Sequence, residues 1–148
     1  SNGTGGSDFG RGIAFSSAGT RLYVAYRSPP ALVVIDTSVG SDGAARNQVV
    51  DAIPLATGPA SVAVAPAGPN GEDRVLVTMY DRDMVAVIDP ASRQVLKQIE
   101  VGDGPFDIAV LANDTVLRAY VTLFEENSVA VIELKPGNSQ YKEIARIR

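Results

Sequence analysis

Tyr120-Val121-Thr122-Leu123-Phe124-Glu125-Glu126-Asn127-Ser128-Val129-Ala130-Val131-Ile132-Glu133 reads as strand, polar turn, strand. The same phrase stands twice earlier in the chain. Leu76-Val77-Thr78 is followed by Tyr80-Asp81-Arg82-Asp83 and then by Val85-Ala86-Val87-Ile88-Asp89. Tyr23-Val24-Ala25 is followed by Tyr26-Arg27-Ser28-Pro29-Pro30 and then by Leu32-Val33-Val34-Ile35-Asp36. From the first residue of each phrase to its Ile is 12 positions in all three copies. A repeat this regular sets the architecture before any single element is assigned.

Working outward from the phrase, each copy extends into four strand-like runs. The first unit opens at Gly10 to Ser16, passes through Leu22 to Tyr26 and Leu32 to Asp36, and ends with Val49 to Leu55 after a polar stretch, Thr37 to Asn47. The second restarts at Gly58-Pro59 and turns through Pro66-Ala67-Gly68-Pro69-Asn70-Gly71. It continues with Val75 to Tyr80, Val85 to Asp89 and Gln94 to Val101. The third restarts at Gly104-Pro105 and continues with Leu117 to Phe124, Val129 to Leu134 and Tyr141 to Ile147. No stretch carries apolar residues at helical spacing, so no helix is predicted.

The third strands decide how these sheets are arranged. Val85-Ala86-Val87-Ile88 and Val129-Ala130-Val131-Ile132 are apolar at successive positions. Successive strand residues point to opposite faces, so both faces should be covered. A two-layer sandwich would leave one face polar, whereas sheets stacked radially bury both, as in a β-propeller. The expectation is an all-β chain with a lead-in at 1–9 and blades at 10–57, 58–103 and 104–148. Ile13, Phe15, Val24, Val33, Ile35, Val62, Val64, Val77, Val85, Val87, Ile108, Val110, Val121, Val129 and Val131 are its expected core.

Composition narrows the chemistry. The 148 residues include neither Cys nor His, which excludes disulfides, thiolate or imidazole metal sites and His-based nucleophile pairs within this chain. The formal net charge is −4 and the basic residues are scattered, so no footprint for nucleic acid is visible. No apolar run is long enough to span a bilayer as a helix. No signal peptide is read, and Ser1 to Ser7 reads as a flexible lead-in. A leader already removed would leave no trace.

The chain resembles the YVTN β-propeller repeat family, which has surface-layer and YncE-like members. The resemblance rests on Gly58-Pro59 and Gly104-Pro105 opening a blade, on Tyr120-Val121-Thr122, and on Val85-Ala86-Val87-Ile88-Asp89. It covers nearly everything from Gly10 onward. The first unit lacks the Gly-Pro, and Glu125-Glu126-Asn127 stands where the family has an Asn-rich turn. The resemblance implies a WD40-like fold and an extracytoplasmic location, periplasmic or secreted, in a bacterium. It also implies relatives that include surface binding proteins, lactonases and quinoprotein or haem-carrying dehydrogenases.

Closed propellers have about four to eight blades. Three blades form an arc with an apolar face at each end, so its partners are expected to be missing blades of a longer chain or a second copy.

Strand alternation places the turns between second and third strands on one rim with the blade-to-blade loops. From the turns this rim collects Tyr26, Arg27, Tyr80, Asp81, Arg82, Asp83, Phe124, Glu125, Glu126 and Asn127. From the blade openings it collects Asp8, Arg11, Asp103, Phe106 and Asp107. The plain interpretation is a solvated rim of turn residues. Aromatics beside charges, with Tyr26, Tyr80 and Phe124 read as occupying one place in each repeat, favour a ligand-binding rim. Asp81, Asp83, Glu125 and Glu126 offer oxygens to a hard cation or a carboxylate pair for glycoside hydrolysis, but without a supporting loop motif. Asp36, Asp89 and Glu133, ending the third strands, are expected to cap their own turns. Gly102-Asp103-Gly104 precedes no helix and so makes no phosphate cradle.

No catalytic residue, metal or cofactor is assigned. Two functions remain open. One is a non-catalytic scaffold binding a protein or surface polymer through its rim. The other is a segment of a lactonase-like or dehydrogenase-like propeller enzyme whose catalytic residues lie outside this chain.

Overall fold

The computed structural model describes residues 12–66 and 71–148. The lead-in, Asp8, Arg11 and the turn at 67–70 lie outside the described residues. Three antiparallel sheets of four strands each make up the fold. The first holds β1 (Gly12–Phe15), β2 (Arg21–Tyr26), β3 (Ala31–Asp36) and β4 (Gln48–Pro54). The second holds β5 (Pro59–Ala65), β6 (Arg74–Met79), β7 (Met84–Asp89) and β8 (Gln94–Glu100). The third holds β9 (Pro105–Ala112), β10 (Leu117–Leu123), β11 (Ser128–Glu133) and β12 (Lys142–Ile147). Each sheet keeps sequence order from one edge to the other. The sole helical piece among the described residues is a 3-10 turn, Tyr80–Arg82.

The sheets stack face to face as blades of an incomplete propeller. Between blades 1 and 2 pack Tyr23, Ala25, Leu32, Val34 and Ile53 against Val62, Val75, Val77, Met79 and Ile88. Between blades 2 and 3 pack Leu76, Val85, Val87 and Ile99 against Ile108, Val121, Ala130 and Ile132. Blade 2 is therefore covered on both faces, and Val85, Val87 and Ile88 have no exposed surface.

Part of the expected core is corrected. Ile13 is 66% and Phe15 58% exposed. Val24, Val33 and Ile35 are half-buried. These five share one face of blade 1, fixed by the pairing of Ile13 with Val24, Val24 with Val33 and Leu22 with both Phe15 and Ile35. The opposite face meets blade 2. The repeat marks both faces apolar, and the described residues cover one.

A hydroxyl stitches the inner strands together. The pairing of β5 with β6 slips at a bulge between Pro59 and Ser61. Bulges strand a backbone donor. Here Ser61 N–H donates to Thr78 Oγ1 at 2.9 Å, and Thr78 Oγ1 donates across the seam to the Phe106 carbonyl at 2.8 Å. Thr122 takes the Asp107 N–H in the same way at 2.9 Å.

Candidate functional site: an aromatic rim

The rim is built by the glycines that open blades 2 and 3. Gly58 has φ +88° and Gly104 φ +69°, conformations that L side chains rarely adopt. A Cβ on Gly58 would stand 2.6 Å from Asp81 N. That close approach lets Gly58 O accept the Tyr80 N–H at 2.7 Å, and Gly104 O the Phe124 N–H at 2.8 Å. The turns of blades 2 and 3 are thus pinned over the starts of their own first strands. Asp83 and Asn127 hold equivalent left-handed positions in these turns, with φ 52° and 48°.

Pinning the turns gathers the aromatics. Phe106, near the start of β9, sits between Tyr80 and Phe124. Its ring centroid lies 6.4 Å from Tyr80 in an edge-on arrangement and 6.3 Å from Phe124 at a tilt of 46°. Edge-on and tilted pairs are the favoured geometries for rings. Arg27, Ala60, Tyr80, Phe106 and Phe124 line a shallow pocket of about 350 Å³. Phe124 is 69% exposed, a large apolar ring held in solvent by its turn.

Register corrects the expected equivalence of Tyr26, Tyr80 and Phe124. Because Tyr23, Leu76 and Tyr120 correspond, Tyr26 matches Met79 and Leu123, while Arg27 matches Tyr80 and Phe124. Tyr26 ends β2 half-buried and does not line the pocket. Arg27 lines it and pairs with Asp81 at 3.6 Å.

The rim carboxylates are engaged one by one. Glu125 accepts the Tyr80 hydroxyl at 2.9 Å. That hydrogen bond, with burial and the negative charge of Glu125 adding to it, raises the Tyr80 pKa and keeps the phenol protonated. Asp83 accepts the Gly104 N–H at 3.1 Å. Glu126 accepts the Asp103 N–H at 2.7 Å and pairs with Arg146, which also bonds Glu143. Asp107 accepts the Ser61 hydroxyl at 3.1 Å, beside the inner strands rather than in the pocket. Arg82 ends the 3-10 turn, exposed. Among the described residues no three carboxylates converge as a cation site.

The opposite rim carries a ladder that a reading of the strand ends alone does not find. Arg21, Arg74 and Arg118 occupy one register position and reach across to Asp36, Asp89 and Glu133 at 3.0, 3.9 and 3.4 Å. The same carboxylates cap their own turns, as expected. Asp36 takes Ser38 N–H and Oγ–H, Asp89 takes Ala91 N–H and Ser92 Oγ–H, and Glu133 takes Lys135 N–H. These bonds, from Ser38 and Lys135 above all, lower the pKa of Asp36 and Glu133. Burial pushes Asp89 up, but its hydrogen bonds and Arg74 outweigh that and the net direction is down.

No family model matches the chain, and no curated protein matches it. Solved structures do, and they are propeller proteins. A hydrazine synthase from Kuenenia stuttgartiensis is similar with TM-score 0.73 and 23% identity, over 94% of this chain and 35% of that one. A protein of unknown function from Desulfotomaculum acetoxidans has TM-score 0.72 and 13% identity, over 93% and 42%. A periplasmic gluconolactonase from Pseudomonas aeruginosa has TM-score 0.64 and 19% identity, over 93% and 42%. The chain therefore spans less than half the length of these proteins. The likeness establishes the partial propeller fold.

Proposed function

We propose that this chain is part of a non-catalytic, YVTN-like propeller scaffold that binds a protein or surface-polymer ligand at its aromatic rim, outside the cytoplasm. The observation that carries this reading is the pocket of Arg27, Tyr80, Phe106 and Phe124, with its rings held open to solvent. Flat apolar faces bordered by carboxylates suit stacking and edge hydrogen bonding, and the excess of rim carboxylates over arginines favours a positively charged group on the ligand. The periplasmic location of the gluconolactonase supports the compartment.

The test is a titration of the full chain, followed by NMR, with an arginine-containing peptide and separately with a neutral oligosaccharide. Shifts should concentrate at the rim, and Phe106→Ala with Phe124→Ala should weaken binding at least about tenfold, as removal of aromatic anchors does. Absence of binding by both probes, or binding indifferent to those substitutions, would overturn the reading.

A second reading is a segment of a propeller enzyme, supported by the likeness to a hydrazine synthase and a gluconolactonase. Its catalytic groups would then lie on further blades, and lactonase turnover by a longer chain, absent from this one, would favour it.

A further inference from the structure

We propose that the fissure between blades 1 and 2, on the rim opposite the aromatic pocket, is a second binding site and that it takes a small aliphatic amine. The fissure encloses about 500 Å³. Its floor is the buried pair Tyr23 and Val34, side by side on β2 and β3, and Val50 and Pro90 stand on its walls. Two polar contacts between the blades bracket it. Ser17 donates its N–H to Asp73 at 2.9 Å and its hydroxyl to the same carboxylate. Arg93 donates its Nε–H to Asp51 at 2.8 Å.

One group in the floor lacks a partner. Tyr23 is 4% exposed, and its hydroxyl makes no hydrogen bond among the described residues. The hydroxyl is not sealed from solvent, so it opens on the fissure. Packing does not call for it: Leu76 fills the same register position in the next seam, fully buried and wholly apolar. A polar atom at the bottom of such a site is costly unless something bonds it. The walls decide what that is. Burial first, and then the negative charge of Asp73, raise the Tyr23 pKa, with Arg21 opposing and Asp89 adding. The phenol therefore keeps its proton and offers an oxygen lone pair to a donor. Asp73 is bonded by Ser17 and has no cation within ion-pair distance among the described residues. Arg21, the one cation lining the fissure, is engaged by Asp36 at 3.0 Å. A ligand cation carrying N–H donors meets the needs of both Tyr23 and Asp73. Among the described residues no three carboxylates converge on a metal-sized point, which favours an ammonium on a chain over a bare ion. Its head reaches the phenol and Asp73 while its methylene stem lies along Val50 and Pro90.

The test is an NMR titration of the full chain at low salt with 1,5-diaminopentane, and separately with pentane-1,5-diol as the neutral probe of the same length. Shifts from the diamine should gather at Tyr23, Asp73 and Asp89, and the diol should produce none there. Asp73→Asn, which keeps an acceptor for Ser17, should weaken diamine binding at least about tenfold. Tyr23→Phe, which removes a single oxygen from the floor, should weaken it about two- to tenfold. Glu100→Gln alters an exposed carboxylate near the other rim, where Glu100 pairs with Met84, and should leave the affinity unchanged. Circular dichroism should show the variants folded, and either of the first two suffices if the other disturbs the fold. No diamine binding, equal binding of the diol, or an affinity as sensitive to Glu100→Gln as to Asp73→Asn would each overturn the proposal. So would shifts confined to Phe106 and Phe124, which would leave the aromatic rim standing as the amine's site.

Discussion

Blades 1 and 2 carry nearly the same third strand in different surroundings. Val85-Ala86-Val87-Ile88 is buried at every position, whereas in Leu32-Val33-Val34-Ile35 burial alternates, with Val33 and Ile35 half-exposed. The letters specify a sheet with a neighbour on each side, and only blade 2 has both among the described residues. Apolar periodicity thus reports the surroundings for which a strand is suited, which the isolated arc supplies only in its middle. Stability should be concentrated at the two internal seams and thin at the outer faces.

The sharpest test of this difference pairs one truncation in each region. Leu76 is fully buried in the seam between blades 2 and 3. Leu76→Ala should cost about 2–5 kcal/mol, the lost transfer energy plus a cavity. Ile13→Ala, on the open face of blade 1, should cost less than about 1 kcal/mol. Equal costs in chemical denaturation would break the comparison by showing that the outer face is covered.

The hydroxyl stitch offers a second, smaller contrast. Thr78→Val keeps shape but orphans the half-buried Ser61 N–H and the Phe106 carbonyl, at about 1–3 kcal/mol. Thr122→Val removes the same kind of group at the open edge, where water can replace it, and should cost under about 1 kcal/mol. A reversed order in thermal denaturation midpoints would show that the stitch does not hold the seam.

Architecture was legible because a 13-residue phrase occurs three times without a gap. Topology followed from strands apolar at successive positions. What the letters cannot say is which face has a neighbour, so Ile13 and Phe15 read as core although the described residues do not close around them. At the rim, matching aromatic to aromatic aligned Tyr26 with Tyr80. Counting from Tyr23 and Leu76 aligns Arg27 with it instead. Phe106 was visible as a rim residue, but its place between two rings depends on glycine-pinned turns whose closeness no spacing reveals. The arginine ladder was legible and missed: Arg21, Arg74 and Arg118 each stand 15 residues before their carboxylate.

That ladder gives a pH dependence common to all three blades. The folded pKa values of Asp36, Asp89 and Glu133 lie below their unfolded ones. Such groups bind fewer protons folded than unfolded, so their contribution is fully present above the unfolded pKa of about 4 and is lost as pH falls through the folded values. The melting midpoint should fall with acidification below about pH 4, and Asp36→Asn should flatten that slope. An unchanged slope would show that the capped carboxylate contributes nothing to it.

The smallest expected effect refines the comparison at a single atom. Ser128 begins β11, is buried, and its Oγ has no hydrogen-bond partner among the described residues. The register of Leu123 with Ser128 matches that of Tyr26 with Ala31 and of Met79 with Met84, so the equivalent positions in blades 1 and 2 are both apolar. Ala31 is likewise buried. A buried hydroxyl without a partner carries its desolvation cost uncompensated, and the alanine of blade 1 shows that the place accommodates a methyl group. Ser128→Ala should therefore stabilise the chain, by up to about 1 kcal/mol. The gain would appear as a higher denaturation midpoint with an unchanged slope against denaturant. A loss of comparable size would mean that the hydroxyl has a partner in solution, and that this turn of blade 3 differs from its counterpart in blade 1 by more than a missing neighbour.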